Sequence, residues 1–164
     1  MRSYPGPIWD VGANIGKFSS LLAEANRDQK IYAFETNLTE IGWLAYNTRR
    51  YANIEIVPLA LTRSGESLAA AFDPDFLKVP SPSGPRVLSM SLDEALRKLG
   101  RPAFIKIDIE GGEYDLLQPE PESLFGIPML VEWHREIPEL QNWKSIVVDD
   151  RHTFLQPVTP ASVA

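Results

Sequence analysis

The chain has no cysteine among its 164 residues, so neither a disulfide framework nor a thiolate metal site can form. No apolar run approaches the roughly 20 residues that a membrane-spanning helix needs. Basic residues are also scarce: 16 Lys and Arg stand against 22 Asp and Glu, leaving a net charge of -6. Phosphate neutralisation needs a clustered basic surface, and none is visible, so neither a nucleic acid nor a membrane is expected as a partner. The opening "MRSYPGPIW" lacks the apolar core of a signal peptide and enters a strand almost at once. The expectation is a soluble, cytoplasmic protein. With 44% hydrophobic and 23% charged residues, 164 positions suit a single domain, 1–164, with a sizeable core.

What is present alternates in period. "IWDV" reads as a buried strand, and "GKFSSLLAEAN" carries Phe18, Leu21, Leu22 and Ala25 at the spacing of one helical face. "KIYAFE" is a second strand. Asn37 then N-caps a helix with Glu40 three residues on, and Ile41, Leu44 and Ala45 are expected to face the sheet. "NIEIVPLAL" reads as a third strand, in which Pro58 marks the end or an exposed edge. The proline-rich middle, including "VPSPSGP", reads as an excursion from the sheet. Ser91 caps a short helix, with Glu94 at N3 and Gly100 as its stop. "FIKIDIEGGEYDLL" is a strand entering another glycine turn and helix, and "IPMLVEWH" is a further strand. This order predicts an α/β domain with a mostly parallel central sheet and right-handed crossovers, short or trimmed at its N-terminus. "IWDV" should lie beside "FIKIDI" at the switch point, and the tail "SIVVDDRHTFLQPV" should add edge strands.

Ligands of such sheets bind beyond the carboxyl ends of the strands, so the residues there are the candidates. They are Asp10, Gly12, Asn14 and Gly16 after the first strand, Glu35 after the second, Asp108 and Glu110 after "FIKI", and Glu132 and His134 after "MLV". Five carboxylates on one rim suit a ligand bearing hydroxyl or amino groups, with a cation as the rival. The glycine turn, Gly12-Ala13-Asn14-Ile15-Gly16, lacks the G-x-G-x-x-G of dinucleotide sites. It also lacks the Ser/Thr of a Walker loop, since Phe18 follows Lys17. Glu35 is placed to accept from both hydroxyls of a ribose. Together these favour a nucleoside without a pyrophosphate, and the helix start after the turn is expected to present free N–H donors.

"DVGANIGKFS", "YAFET", "MSLDEAL", "FIKIDIEGGEYDLL" and "LVEWH", in this order, resemble the FkbM family of S-adenosylmethionine-dependent methyltransferases. The resemblance runs from Ile8 to His134, with "KIDIEGGE" after "LDEAL" as its more specific part. It implies a Rossmann-like three-layer α/β sandwich, S-adenosyl-L-methionine as cofactor and methyl transfer, commonly to a hydroxyl oxygen of a small molecule or saccharide. Carried over, Asp10, Gly12, Ala13, Asn14 and Gly16 would hold the methionine portion, and Glu35, with Thr36 beside it, the ribose. Asp108 and Glu110 would line the reacting side. Thr36 stands where such families usually carry proline.

Alternation along "FIKIDIEGG" sets Lys106, Asp108 and Glu110 against Ile105, Ile107 and Ile109. A central parallel strand is ordinarily apolar on both faces, so these charges either pair inside or open into the site. An alcohol acceptor must lose a proton during attack, and His134, Asp108 and Glu110 are the candidate bases. A divalent ion on Asp108, Glu132 and His134 has suitable ligand types but no recognisable spacing, so no metal is expected. The four tryptophans read as core, and His152 as an exposed residue without partners. Self-association is compatible with the sequence. The alternative function is a S-adenosylmethionine- or nucleoside-binding module without turnover of its own.

Overall fold

The computed structural model describes residues 5–66, 68–69 and 86–158. Its elements are β1 (Ile8–Val11), α1 (Lys17–Ala25), β2 (Ile31–Phe34), α2 (Leu38–Thr48), β3 (Ile54–Val57), β4 (Ala60–Thr62), β5 (Leu68–Ala69), β6 (Arg86–Val87), β7 (Ser89–Ser91), α3 (Leu92–Leu99), β8 (Phe104–Ile107), α4 (Glu113–Leu117), β9 (Met129–Glu132), β10 (Trp143–Val147) and β11 (His152–Pro157). A single 3-10 turn covers Glu122–Leu124. Seven strands form the main sheet in the order β10-β11-β9-β8-β1-β2-β3. From β9 to β3 every neighbour is parallel, while β11 runs antiparallel to both β9 and β10.

β1 therefore lies at the switch point between β8 and β2, as expected, and the tail supplies two antiparallel strands with β10 on the edge. β3 is the opposite edge and stops at Val57, directly before Pro58, which has no N–H to give to a ladder. Most of the proline-rich middle, "VPSPSGP" included, lies outside the described residues; β4 pairs with β7 and β5 with β6 on either side of it. Among the described residues no helix is long and apolar enough to cross a membrane.

Parallel pairing puts facing residues on the same side of the sheet. One side carries Trp9, Val11, Phe34, Val57, Ile105, Ile107, Met129 and Val131, all buried in one cluster with Leu92 and Ala95 of α3 and Leu116 and Leu117 of α4. Trp9 meets Phe34 edge-on, with ring centroids 5.8 Å apart. On the other side, Ile8 and Ile31 pack with Ala23 of α1, and Ala33 packs with Leu44 of α2. Trp9, Trp133 and Trp143 are core, as read. Trp43 is not: it lies 56% exposed on α2 beside Tyr46.

Both helix caps are as expected. Asn37 accepts from the N–H groups of Thr39 and Glu40, and Ser91 from that of Glu94. The buried helical faces differ from the expectation. In α1 the fully buried positions are Ser19 and Ala23, while Leu21 is 60% exposed and Ala25 also faces solvent. In α2 they are Leu44 and Thr48, with Ile41 half-buried and Ala45 exposed. Polarity misleads here because both buried hydroxyls are satisfied locally: Thr48 Oγ1 donates to the Leu44 carbonyl at 2.7 Å, and Ser19 Oγ donates to Asp10 at 2.5 Å.

The charges inside the sheet are paired. Asp10 of β1 faces Lys106 of β8 in register, and Lys106 Nζ lies 3.4 Å from Asp10 Oδ1 and 3.4 Å from Asp108 Oδ2. Its one well-formed hydrogen bond is to the Gly12 carbonyl at 2.8 Å. At 3.4 Å the Oδ1 contact is an ion pair rather than a close hydrogen bond, so that oxygen is held by charge alone. Desolvation raises the Asp10 pKa, an effect that Lys106 and the Ser19 hydroxyl oppose. Removing one partner of a buried pair is expensive because the other remains desolvated. Asp10→Ala is expected to lower stability by about 3 kcal/mol, the low end for such pairs because Asp108 stays beside Lys106; urea unfolding monitored by tryptophan fluorescence measures it.

Candidate active site

The loop after β1 is closed on itself. The N–H groups of Gly12 and Ala13 both donate to the Phe34 carbonyl, at 3.0 and 2.8 Å, and that of Gly16 donates to the Ala13 carbonyl at 2.9 Å. Asn14 N–H donates to Glu35 Oε2 at 2.8 Å, and Asn14 Oδ1 accepts from Ile15 N–H at 2.7 Å. The N–H groups of the turn itself, from Gly12 to Gly16, are thus used inside the protein, while the start of α1 that follows has no side-chain cap at Gly16 and keeps the open donors expected of it. What the turn offers outward is side chain: Asn14 is exposed and held at φ 51°, whereas Ala13 and Asp10 are buried.

The glycines have a packing reason. A Cβ on Gly12 would sit 1.7 Å from the Asp108 carbonyl oxygen, and one on Gly16 would sit 2.7 Å from Leu44 Cδ1. Both have positive φ, 81° and 86°. Gly12 therefore lets the β1 loop lie against the end of β8, and Gly16 seats the start of α1 on α2. Gly12→Val is expected to disturb the fold as well as any ligand, lowering the melting temperature in differential scanning fluorimetry, because its nearest obstacle is main chain that cannot rotate away.

Glu35, half-buried at the end of β2, accepts from three backbone N–H groups: Asn14 on Oε2, and Thr36 and Asn37 on Oε1 at 2.7 and 2.9 Å. A carboxylate has about four acceptor sites, so one remains. Thr36 is half-buried beside it with its N–H spent in this way.

At the ends of β8 and β9 the three candidate bases come together. Asp108, Glu110 and His134 each place a side-chain oxygen or nitrogen so that all lie within 4.8 Å of one another. Glu110 is at φ 53° in the turn, with Oε2 3.3 Å from His134 Nε2. Asp108 is held by Lys106 from within. The Lys106 ammonium supplies positive charge to Asp108. Gly111, at φ 97°, has nothing within 4 Å of where a Cβ would be, so open space adjoins the cluster.

Glu132 is not part of this group. It faces β11, 3.4 Å from His152 Nε2 and 3.6 Å from Arg151 Nη1. His152 is therefore not without partners, contrary to the expectation: Nδ1 also lies 2.8 Å from Asp149 Oδ1. Asp149 accepts from the N–H groups of Arg151 and His152, which lower its pKa from 3.8 to about 2, with the imidazole assisting. A lowered carboxylate stabilises the fold above its ordinary pKa and loses that contribution as pH falls towards the folded value. The protection of the Arg151 and His152 amides, relative to their intrinsic exchange at the same pH, is expected to fall between about pH 4 and pH 2, and hydrogen-exchange NMR reads it.

One residue escaped the sequence reading. Glu113, the first residue of α4, is fully buried; Oε1 accepts from His134 N–H at 2.9 Å and lies 3.2 Å from His134 Nδ1, and Oε2 accepts from Gly111 N–H at 2.8 Å. The signal was available. Glu113 lies three and four positions before Leu116 and Leu117, so it shares their buried face, and a carboxylate there requires partners.

A parallel sheet with its switch point between β1 and β8, an acid ending β2 and a polar cluster ending β8 and β9 defines a Rossmann-like methyltransferase. The family model for the methyltransferase FkbM domain matches residues 10–155, and the chain belongs to that family, whose cofactor is S-adenosyl-L-methionine. No curated protein sequence matches the chain. Among solved structures it is similar to a fibrillarin/Nop5p complex, with 14% identity, 93% of this chain and 73% of that one covered, and a TM-score of 0.55. It is also similar to an rRNA methylase from Streptococcus thermophilus, with 11% identity, 94% and 87% covered, and a TM-score of 0.52. Against precorrin-6y C5,15-methyltransferase from Geobacter metallireducens it spans 53% of that chain, with 77% of this one covered, at 18% identity and a TM-score of 0.49. Identities this low establish the fold alone. Because an rRNA methylase has the same fold, the fold does not exclude a nucleic-acid acceptor.

The residues present fit the cofactor. Glu35 retains an acceptor site, Asp108 is partly exposed at the rim, and both are carboxylates suited to a ligand bearing hydroxyls, an ammonium and a sulfonium.

Proposed function

We propose that this protein methylates a hydroxyl oxygen of a small molecule or saccharide, with His134 as the base. The observation that carries this reading is the convergence of Asp108, Glu110 and His134 at the ends of β8 and β9, next to β1 in the sheet. Bound S-adenosylmethionine supplies an electrophilic methyl group on sulfur. Glu35 and Asn14 would hold the nucleoside side and Asp108 the charged amino-acid side, leaving His134 and Glu110 facing the acceptor. An oxygen acceptor attacks better as its proton leaves, and an imidazole beside two carboxylates can take that proton and hold the resulting charge. Positioning acceptor and methyl carbon in line contributes the larger part of the acceleration.

A rim built from Glu35, Asp108 and Glu110 repels phosphate, which supports a neutral, hydroxylated acceptor over a nucleic acid. The net charge of -6 acts in the same direction. Glu35→Ala is expected to weaken S-adenosylhomocysteine binding by about 10- to 100-fold, the worth of charge-assisted hydrogen bonds; calorimetry measures this, with NAD as the non-binding control. His134→Ala is expected to lower kcat by about 10²- to 10⁴-fold with that affinity kept. The measurement is methylated product from a panel of sugars and hydroxylated small molecules, with a short RNA included. Cofactor binding with no product from any acceptor would favour a binding module, and methylated RNA alone would overturn the acceptor class.

A further inference from the structure

We propose that Glu113 is the positioning residue of this site, holding His134 in the tautomer that presents a bare Nε2 to the acceptor. The inference rests on the reading of His134 as the base and deepens it. Glu113 is fully buried, and among the described residues no lysine or arginine pairs with it. Its carboxylate is compensated by donors alone: the main-chain N–H of Gly111 on one oxygen, and on the other the main-chain N–H of His134 with ring atom Nδ1 3.2 Å away. Main-chain N–H groups cannot reverse their polarity. Two such donors aimed at its oxygens favour Glu113 as an acceptor, and an acceptor beside Nδ1 favours the hydrogen on that nitrogen.

A neutral imidazole protonated on Nδ1 has its lone pair on Nε2. That atom points away from α4 towards Glu110 Oε2, 3.3 Å off, whose side chain is 41% exposed and can turn aside for an acceptor. In the transfer the acceptor oxygen forms a bond to the methyl carbon, the carbon–sulfur bond breaks with its electron pair going to sulfur, and the hydroxyl proton passes to Nε2. The ring then carries a positive charge between Glu113 and Glu110. Asp108, the other carboxylate of the cluster, is already paired with Lys106, and Glu132 is turned to His152 and Arg151. Glu113 also fixes the ring's position, because the same oxygen that faces Nδ1 holds the His134 main chain.

The chain has two histidines, so its ring nitrogens can be assigned directly. In the 164-residue chain labelled with ¹⁵N-histidine, long-range proton–nitrogen spectra at alkaline pH are expected to show Nδ1 of His134 protonated and Nε2 bare, with His152→Gln identifying the second set. Glu113→Ala is expected to release the ring to the opposite or a mixed tautomer and to lower kcat by about 10²-fold or more. S-adenosylhomocysteine affinity should stay within about two-fold. Glu113→Gln keeps a carbonyl for Nδ1–H and is expected to restore the parental tautomer and part of the rate. A parental spectrum with Nδ1 bare overturns the proposal, as does Glu113→Ala with parental tautomer and kcat. The parental spectrum needs no variant and no acceptor, so it decides even if Glu113→Ala fails to fold. Undiminished turnover in His134→Ala would overturn the base while leaving the tautomer result standing, which separates the two failures.

Discussion

A lysine and an aspartate facing each other in the middle of a parallel sheet are the constraint around which this fold is arranged. Asp10 and Lys106 occupy neighbouring positions on β1 and β8, the two strands that diverge at the switch point. The polar groups packed against them answer to that pair. Ser19 turns its hydroxyl inward from α1, Gly12 lends its carbonyl to the ammonium, and Asp108 extends the pairing to the rim. Burying two charges costs several kcal/mol each unless hydrogen bonds and opposite charge offset it, so the surrounding polar atoms have little freedom to be anything else.

The strand order and the location of the rim were legible because they follow from coarse periodicity. "IWDV" and "FIKI" are short apolar runs before glycine turns, the mark of parallel strands whose carboxyl ends carry the site, and the resemblance to the family set them side by side. The helix caps were legible for the same reason, since Asn37 and Ser91 act on atoms within a few residues. The buried faces of α1 and α2 were not, because Ser19 and Thr48 look polar in sequence and become compatible with burial only when their hydroxyls are satisfied, Thr48 by the carbonyl one turn back and Ser19 by Asp10 of β1.

The candidate site divides along the same line. Asp108, Glu110 and His134 were each visible as polar residues at strand ends, and the structure brings them within reach of one another. Which acids pair with which histidine was not visible. Glu132 and His134 are two residues apart, yet they serve different neighbours, one facing β11 and the other α4. The alternation of a strand sends close neighbours to one side only while the strand lasts, and His134 stands beyond its end. The glycines illustrate the converse error. Positive φ was readable from residue type, but the close approach at Gly12 is to the carbonyl of Asp108, so the turn couples the β1 loop to β8 before any ligand is involved.

The carboxylate of Glu35 is anchored by three main-chain N–H groups from two loops. Its side-chain torsions are therefore settled when the chain folds, and an arriving ligand does not have to order them, a saving of roughly 1–2 kcal/mol for a residue of this length. The same anchoring ties the loop after β1 to the loop after β2 through one side chain. A ligand that reaches Glu35 thus meets two loops already joined, and its affinity draws on rigidity acquired in folding as well as on the contacts it makes. A change at Asn37, whose side chain caps α2 and whose N–H holds Glu35, would then register as a faster dissociation rate, because it loosens the frame and leaves the contact intact.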